Sequence, residues 1–183
     1  MIGSRPRYSR IQQIADALLV EAGVTAPPVP VEDIIHTRGI AIQPTASLGD
    51  VSGLVLRKGK EIVIGVNKKQ VATRRRFTLA HELAHALLHH GEEVRFDKDF
   101  RVNLRSEASG FGIDVEEIEA NFFAACLLMP RRFLEADPDA AFVDVEDAQA
   151  VSRLAKRYGV SAHAMSIRLG NLAARRGWLA RYS

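Results

Sequence analysis

The stretch RRRFTLAHELAHALLHH, residues 74–90, decides how the rest of the chain is read. Its centre, His81-Glu82-Leu83-Ala84-His85, is an H-E-x-x-H pattern set in strong helix-forming sequence. On a helix, residues four apart lie about 40° apart in projection and one turn along the axis. The two imidazoles can therefore meet one metal ion, with Glu82 beside them to take a proton from water. The bland alternative is a helix carrying two surface histidines and a solvated glutamate. Leu79, Ala80, Leu83, Ala84, Leu87 and Leu88 oppose it, because they leave this helix little polar surface.

A catalytic zinc takes three protein ligands and keeps one position open for water. An extended H-E-x-x-H-x-x-G-x-x-H pattern would supply a third histidine, but Leu88 stands where it needs Gly and Gly91 where it needs His. One helix does not readily wrap three ligands around one ion, so His89 and His90 read as solvated or rim residues. A carboxylate from a second helix is the better source. Residues 116–125, EEIEANFFAA, begin acidic and turn apolar. Acids suit a helix N-terminus for dipole reasons alone, which accounts for Glu116. Glu117 and Asn121 are four apart and share a face, so Glu117 can bind the ion while Asn121 hydrogen-bonds a ligand imidazole. Glu119 lies about 200° around the helix from Glu117, so only one of the two can face the metal.

The chain has 183 residues, 47% of them apolar and 26% charged, which suits one soluble globular domain over 1–183. Its net charge of +3 is mild, and acids and bases are interleaved except at Arg74, Arg75 and Arg76. That argues against direct nucleic-acid binding and leaves the arginine run as a solvated face or a contact for an acidic partner. The lone cysteine, Cys126, excludes an intrachain disulfide, suits a reducing compartment and reads as a buried, inert thiol. The start, MIGSRPRYSRIQQ, lacks the apolar stretch of a signal peptide, and no segment approaches the ~18 apolar residues of a membrane span. The expected location is the cytoplasm.

Periodicity predicts helices over 8–22, 31–38, 69–90, 114–129, 145–158 and 161–175. Strands are predicted over 40–43, 51–57 and 61–66, the last two joined as a hairpin by Lys58-Gly59-Lys60. Residues 91–113 show no period and read as a long loop with room for one short element. A small sheet followed by several helices is an α+β order. The strand over 51–57 offers an edge for substrate by β-addition, or is simply paired in the core.

Taken together, RRRFTLAHELAHALLHH and EIEANFFAACLLMP (residues 117–130) resemble the ImmA/IrrE family of bacterial metallopeptidases. IVIGVN at the end of the hairpin and YGVSAHAMSIRL near the C-terminus fit the family's layout, and the resemblance runs from about Ile11 to Ala173. It implies a zincin-like α+β fold, with a small, mostly antiparallel sheet packed against the active-site helix and several further helices. It implies one Zn2+ ion held by His81, His85 and Glu117, with Glu82 as general base. Related zincins carry Asp at the position matching Asn121. Asn still accepts an imidazole N–H through its amide oxygen, with less charge support.

The resemblance further implies an endopeptidase that cleaves an Xre-type helix-turn-helix repressor and relieves repression of stress, phage or mobile-element genes. Some family members sit in toxin–antitoxin-like pairs. Many carry an added N-terminal DNA-binding domain, which a chain starting almost directly with the catalytic module is expected to lack. LAKRYGVSAHAMSIRLGNL, residues 154–172, itself resembles a helix-turn-helix with Gly159 at the turn. Met165, Ile167, Leu169 and Leu172 stand at packing positions, which favours docking of the helices over about 145–175 on the domain. A DNA-binding regulator, or a module that sequesters a repressor without cutting it, are the competing readings. The complete H-E-x-x-H pattern favours the protease, since a purely structural metal site has no need of Glu82. Manganese or iron are alternative occupants. His163, His90 and Tyr158 are oxyanion-donor candidates by residue type only.

Overall fold

The sheet is built around a hairpin that the sequence announces. In the computed structural model, which describes residues 5–46, 49, 51–89, 94–97, 115–141 and 143–179, β2 (Gly53–Lys58) and β3 (Glu61–Asn67) pair antiparallel. Lys58 pairs with Glu61, and Gly59 turns the chain with φ +60°. β1 (Ala41–Thr45) adds parallel to β3, and β4 (Val94–Asp97) adds antiparallel to β2. The order is β1-β3-β2-β4, so the sheet is small and mostly antiparallel, as expected of a zincin-like α+β fold. Val55 and Ile64 sit opposite one another and are fully buried.

β2 is therefore an internal strand among the described residues, and its edge is not open to a substrate. The expectation of β-addition there fails because β4 lies in the stretch without a period. Four residues are too few to reveal an alternation.

Around the sheet run α1 (Tyr8–Glu21), α2 (Val31–Thr37), α3 (Ala72–Leu88) and α4 (Val115–Leu128), followed by α5 (Arg131–Ala136), α6 (Pro138–Ala141), α7 (Ala148–Tyr158) and α8 (Ala162–Leu179). α3 packs on β2, β3 and α4, and α4 also packs on α1. α4 buries Ala120 and every residue from Phe123 to Leu128, so it reads as a central helix with no solvent stripe. Cys126 is fully buried there, its thiol donating to Gln12 Oε1 on α1 at 3.0 Å. Among the described residues no helix is long and apolar enough to cross a membrane.

Two short helices, α5 and α6, are too brief to show a period. They have six and four residues, and each starts at a proline, Pro130 as the N-cap of α5 and Pro138 as the first residue of α6. α7 starts at Ala148 and not Val145, because the Asp147 carboxylate caps it by accepting from Gln149 N and Ala150 N at 2.9 and 3.0 Å. Gly159 closes it at φ +65°.

The C-terminal pair turns its apolar side inward. Val151, Leu154, Ala155, Tyr158, Val160, Ala164, Met165 and Leu169 are buried, and Ile167 and Leu172 pack against them. Arg168 on α8 donates to Met129 O at 3.1 Å, tying this helix to the end of α4. The arginine run is not uniformly solvated either. Arg76 donates to Val29 O at 2.7 Å and Gly159 O at 3.1 Å, joining α3 to the segments before α2 and after α7. Three consecutive helical residues sweep about 200°, so one of them must turn inward.

Candidate metal centre

α3 buries the whole H-E-x-x-H pattern. His81 is 0% exposed, and Glu82 and His85 are each 1% exposed. His81 Nε2 and His85 Nε2 stand 3.0 Å apart. From the first turn of α4, Glu117 places Oε2 3.3 Å from His81 Nε2 and Oε1 3.2 Å from His85 Nε2. Asn121, one turn along the same face, holds Oδ1 3.1 Å from His81 Nδ1. With that oxygen as acceptor, His81 carries a proton on Nδ1, which makes Nε2, facing Glu117, the nitrogen that would bind a metal ion. Glu119 points the other way, to Arg7 beside α1. Burial pushes the Glu117 carboxyl up, but hydrogen bonds and charge from His81 and His85 prevail and hold it well below the usual carboxylate range.

The donor set fits a zinc ion. Ligand bonds of about 2.0–2.1 Å in a tetrahedron put ligand atoms about 3.3 Å apart. The two imidazole nitrogens are 3.0 Å apart, and each lies 3.2–3.3 Å from one of the two Glu117 oxygens. Two imidazole nitrogens and one carboxylate oxygen are a common catalytic set. Glu117 remains 31% exposed, so it is the member of the cluster that meets solvent.

A second trio, His85, His89 and Glu116, also brings potential ligand atoms within 4.8 Å of one another. It is the poorer site. His85 Nδ1 and His89 Nδ1 already share a hydrogen bond of 2.9 Å, and His89 Nε2 is engaged by Glu119 Oε2 at 3.1 Å.

Glu82 lies under β2, where the strand passes close to α3. A Cβ on Gly53 would come within 2.6 Å of Thr78 Cγ2 and 2.9 Å of Glu82 Cγ, and would overlap Glu82 Oε1. Only glycine lets the strand approach the carboxylate this closely. Gly53→Val is expected to displace Glu82, lowering kcat about 10²-fold, as a misplacement near 1 Å does. Zinc content should stay at the wild-type level, which metal analysis beside turnover would check.

His89 does not lie at the rim, where the sequence suggests it. It is 6% exposed, because α3 ends at Leu88 and His89 continues in extended backbone, φ −119° and ψ 116°. Its ring then lies beside His85, with centroids 4.9 Å apart. The signal is present in the spacing, since 81, 85 and 89 fall on one face. A third metal ligand is the obvious use of that face, and it masks the other use, which is to support His85. Arg57 on β2 has no such signal in the sequence. Its Nη2 donates to His85 O at 2.6 Å and His89 O at 2.8 Å, clamping the end of α3.

The oxyanion candidates fare poorly. His90 lies outside the described residues, and His163 is exposed at the start of α8. Tyr158 is fully buried, and burial with the nearby Asp137 charge pushes its phenol up to about 12.

The model of the IrrE N-terminal-like domain matches residues 38–170, well over half of the chain. The chain belongs to that family. It is a family of metallopeptidases, which implies a divalent metal, and the matched segment contains α3, α4 and the whole His81–His85–Glu117 cluster. The radiation response metalloprotease IrrE of Deinococcus deserti is 37% identical over 101 residues, covering 55% of this chain and 33% of that protein. The match thus spans about one third of the relative's length. Arg7 lies upstream of the segment that the family model matches.

Proposed function

We propose that this chain is a zinc-dependent endopeptidase that cuts a specific protein target, an Xre-type helix-turn-helix repressor, in the cytoplasm, and so relieves repression of stress, phage or mobile-element genes. The observation that carries this reading is the pair His81 Nε2 and His85 Nε2, 3.0 Å apart, each facing one oxygen of the Glu117 carboxylate at 3.3 and 3.2 Å, with the Glu82 carboxylate buried in the adjoining turn. The choice of target rests on the family resemblance.

When bound by His81, His85 and Glu117, the ion supplies Lewis acidity toward a carbonyl oxygen and toward water. Asn121 fixes the ring of His81 from behind, so that Nε2 keeps its lone pair. Glu117 brings the negative charge that favours a cation over a proton at this site. Glu82 takes the proton of the attacking water and delivers it to the leaving amine. β2 and α3 exclude bulk solvent from Glu82 and hold its carboxylate in place. A complete acid–base residue beside the cluster favours proteolysis over simple sequestration of a repressor.

The test is to incubate the purified chain with an Xre-type helix-turn-helix repressor, taken first from any such gene that neighbours its own. With zinc, the repressor should yield discrete fragments from a single cut, and a chelator should stop the reaction. An intact repressor in the zinc-loaded reaction would sink this choice of substrate.

A further inference from the structure

We propose that His89, Glu119 and Arg7 form a positioning chain that fixes the ring and the proton-bearing nitrogen of His85, so that its Nε2 offers a lone pair to the metal. This rests on the reading of His81, His85 and Glu117 as ligands. The chain is continuous: His85 Nδ1 to His89 Nδ1 is 2.9 Å, and His89 Nε2 to Glu119 Oε2 is 3.1 Å. Arg7 then donates three times to Glu119, from backbone N at 2.7 Å and Nε at 3.0 Å to Oε1, and from Nη2 at 2.5 Å to Oε2. His85, His89 and Glu119 are 1%, 6% and 1% exposed. Tyr8, next to Arg7, meets Phe122 edge-on at 4.8 Å and anchors α1 against α4.

The direction of every proton follows from one end. Arg7 donates to both oxygens of Glu119, from backbone N and Nε to Oε1 and from Nη2 to Oε2, the pairing of a guanidinium with a carboxylate. An ionised carboxylate only accepts. His89 must therefore donate from Nε2, which leaves a lone pair on its Nδ1. His85 must then donate from Nδ1, which leaves the lone pair on its Nε2, the atom that faces His81 Nε2 and Glu117. Asn121 sets the same tautomer on His81 by a separate route. Both oxygens of Glu119 are thereby in use, which explains why it supports the site from behind while Glu117 faces it. Arg57, holding the carbonyls of His85 and His89, keeps the two rings in register beyond the end of the helix.

Glu119→Gln tests this with little change of shape. Arg7 donates twice to Oε1, so the amide oxygen takes that place and the amide NH2 turns to His89. His89 must now accept on Nε2 and donate from Nδ1, and His85 is driven to carry its proton on Nε2, where the metal binds. Zinc affinity of the full chain, measured by competition with a chromogenic chelator, is expected to fall about 10–100-fold in Glu119→Gln and in His89→Leu. His89→Asn, whose amide oxygen can replace Nδ1 as acceptor, should recover most of it. Melting of the metal-free proteins, followed by circular dichroism, reports folding separately. If Glu119→Gln and His89→Leu fold and bind zinc as wild type does, the positioning chain is wrong. If Glu117→Ala also binds zinc as wild type does, the ligand assignment beneath it is wrong instead. Two zinc ions per wild-type chain would overturn the proposal as well, since His89 would then be a ligand.

Discussion

Glu82→Gln is expected to lower repressor cleavage by about 10²–10⁴-fold, the range that a positioned general acid–base group contributes. The substitution keeps the volume and the hydrogen-bonding shape of a side chain that is 1% exposed. It removes the one function that an amide cannot perform, which is to accept a proton from water and pass it on. Zinc binding should be unchanged, because Glu82 is not among the His81, His85 and Glu117 atoms that cluster. The variant should also still bind the repressor. Single-turnover cleavage, zinc stoichiometry and a pull-down of the repressor would read these three properties apart. The result also decides between cutting and sequestration. A Glu82→Gln protein that relieves repression in cells as fully as the wild type would make binding, and not hydrolysis, the working activity.

How far each feature is legible in the sequence depends on how local it is. His81, Glu82 and His85 can be read because helical spacing alone puts them on adjoining positions of one turn. Glu117 and Asn121 can be read because a second helix offers two polar groups four residues apart, at the start of an otherwise apolar run. The hairpin can be read from a β-branched pattern around Lys58-Gly59-Lys60. What escapes is whatever depends on how distant segments meet. β4 covers β2 only once residues 94–97 have been brought back over the sheet. Arg7 reaches Glu119 across 112 positions, and Arg57 reaches the end of α3 across 28 and 32, so neither contact leaves a pattern in sequence. His89 is an intermediate case. Its spacing is visible, but its burial depends on the helix ending one residue earlier, where extended backbone swings the ring back beside His85.

Removing the metal, or Glu117, should have the second large effect, seen in stability. Zinc that binds only the folded chain stabilises it by about 4 kcal/mol when free zinc is a thousand times its Kd. For a chain of this size each kcal/mol moves Tm by about 2–4 °C, so zinc should raise Tm by roughly 8–16 °C over chelated protein. Glu117→Ala deletes one of three ligands and the only negative charge among them. The two neutral imidazoles left behind hold an ion without compensating its charge, and most of the zinc-dependent rise should vanish. Glu116→Ala is the control. Glu116 belongs to the other trio, with His85 and His89, and not to the first. Calorimetry with and without zinc should find the metal response intact in Glu116→Ala and nearly absent in Glu117→Ala. The opposite pattern would move the ion to the His85–His89–Glu116 side of the helix end, where Glu82 would no longer adjoin the metal and the hydrolytic reading would lose its geometry.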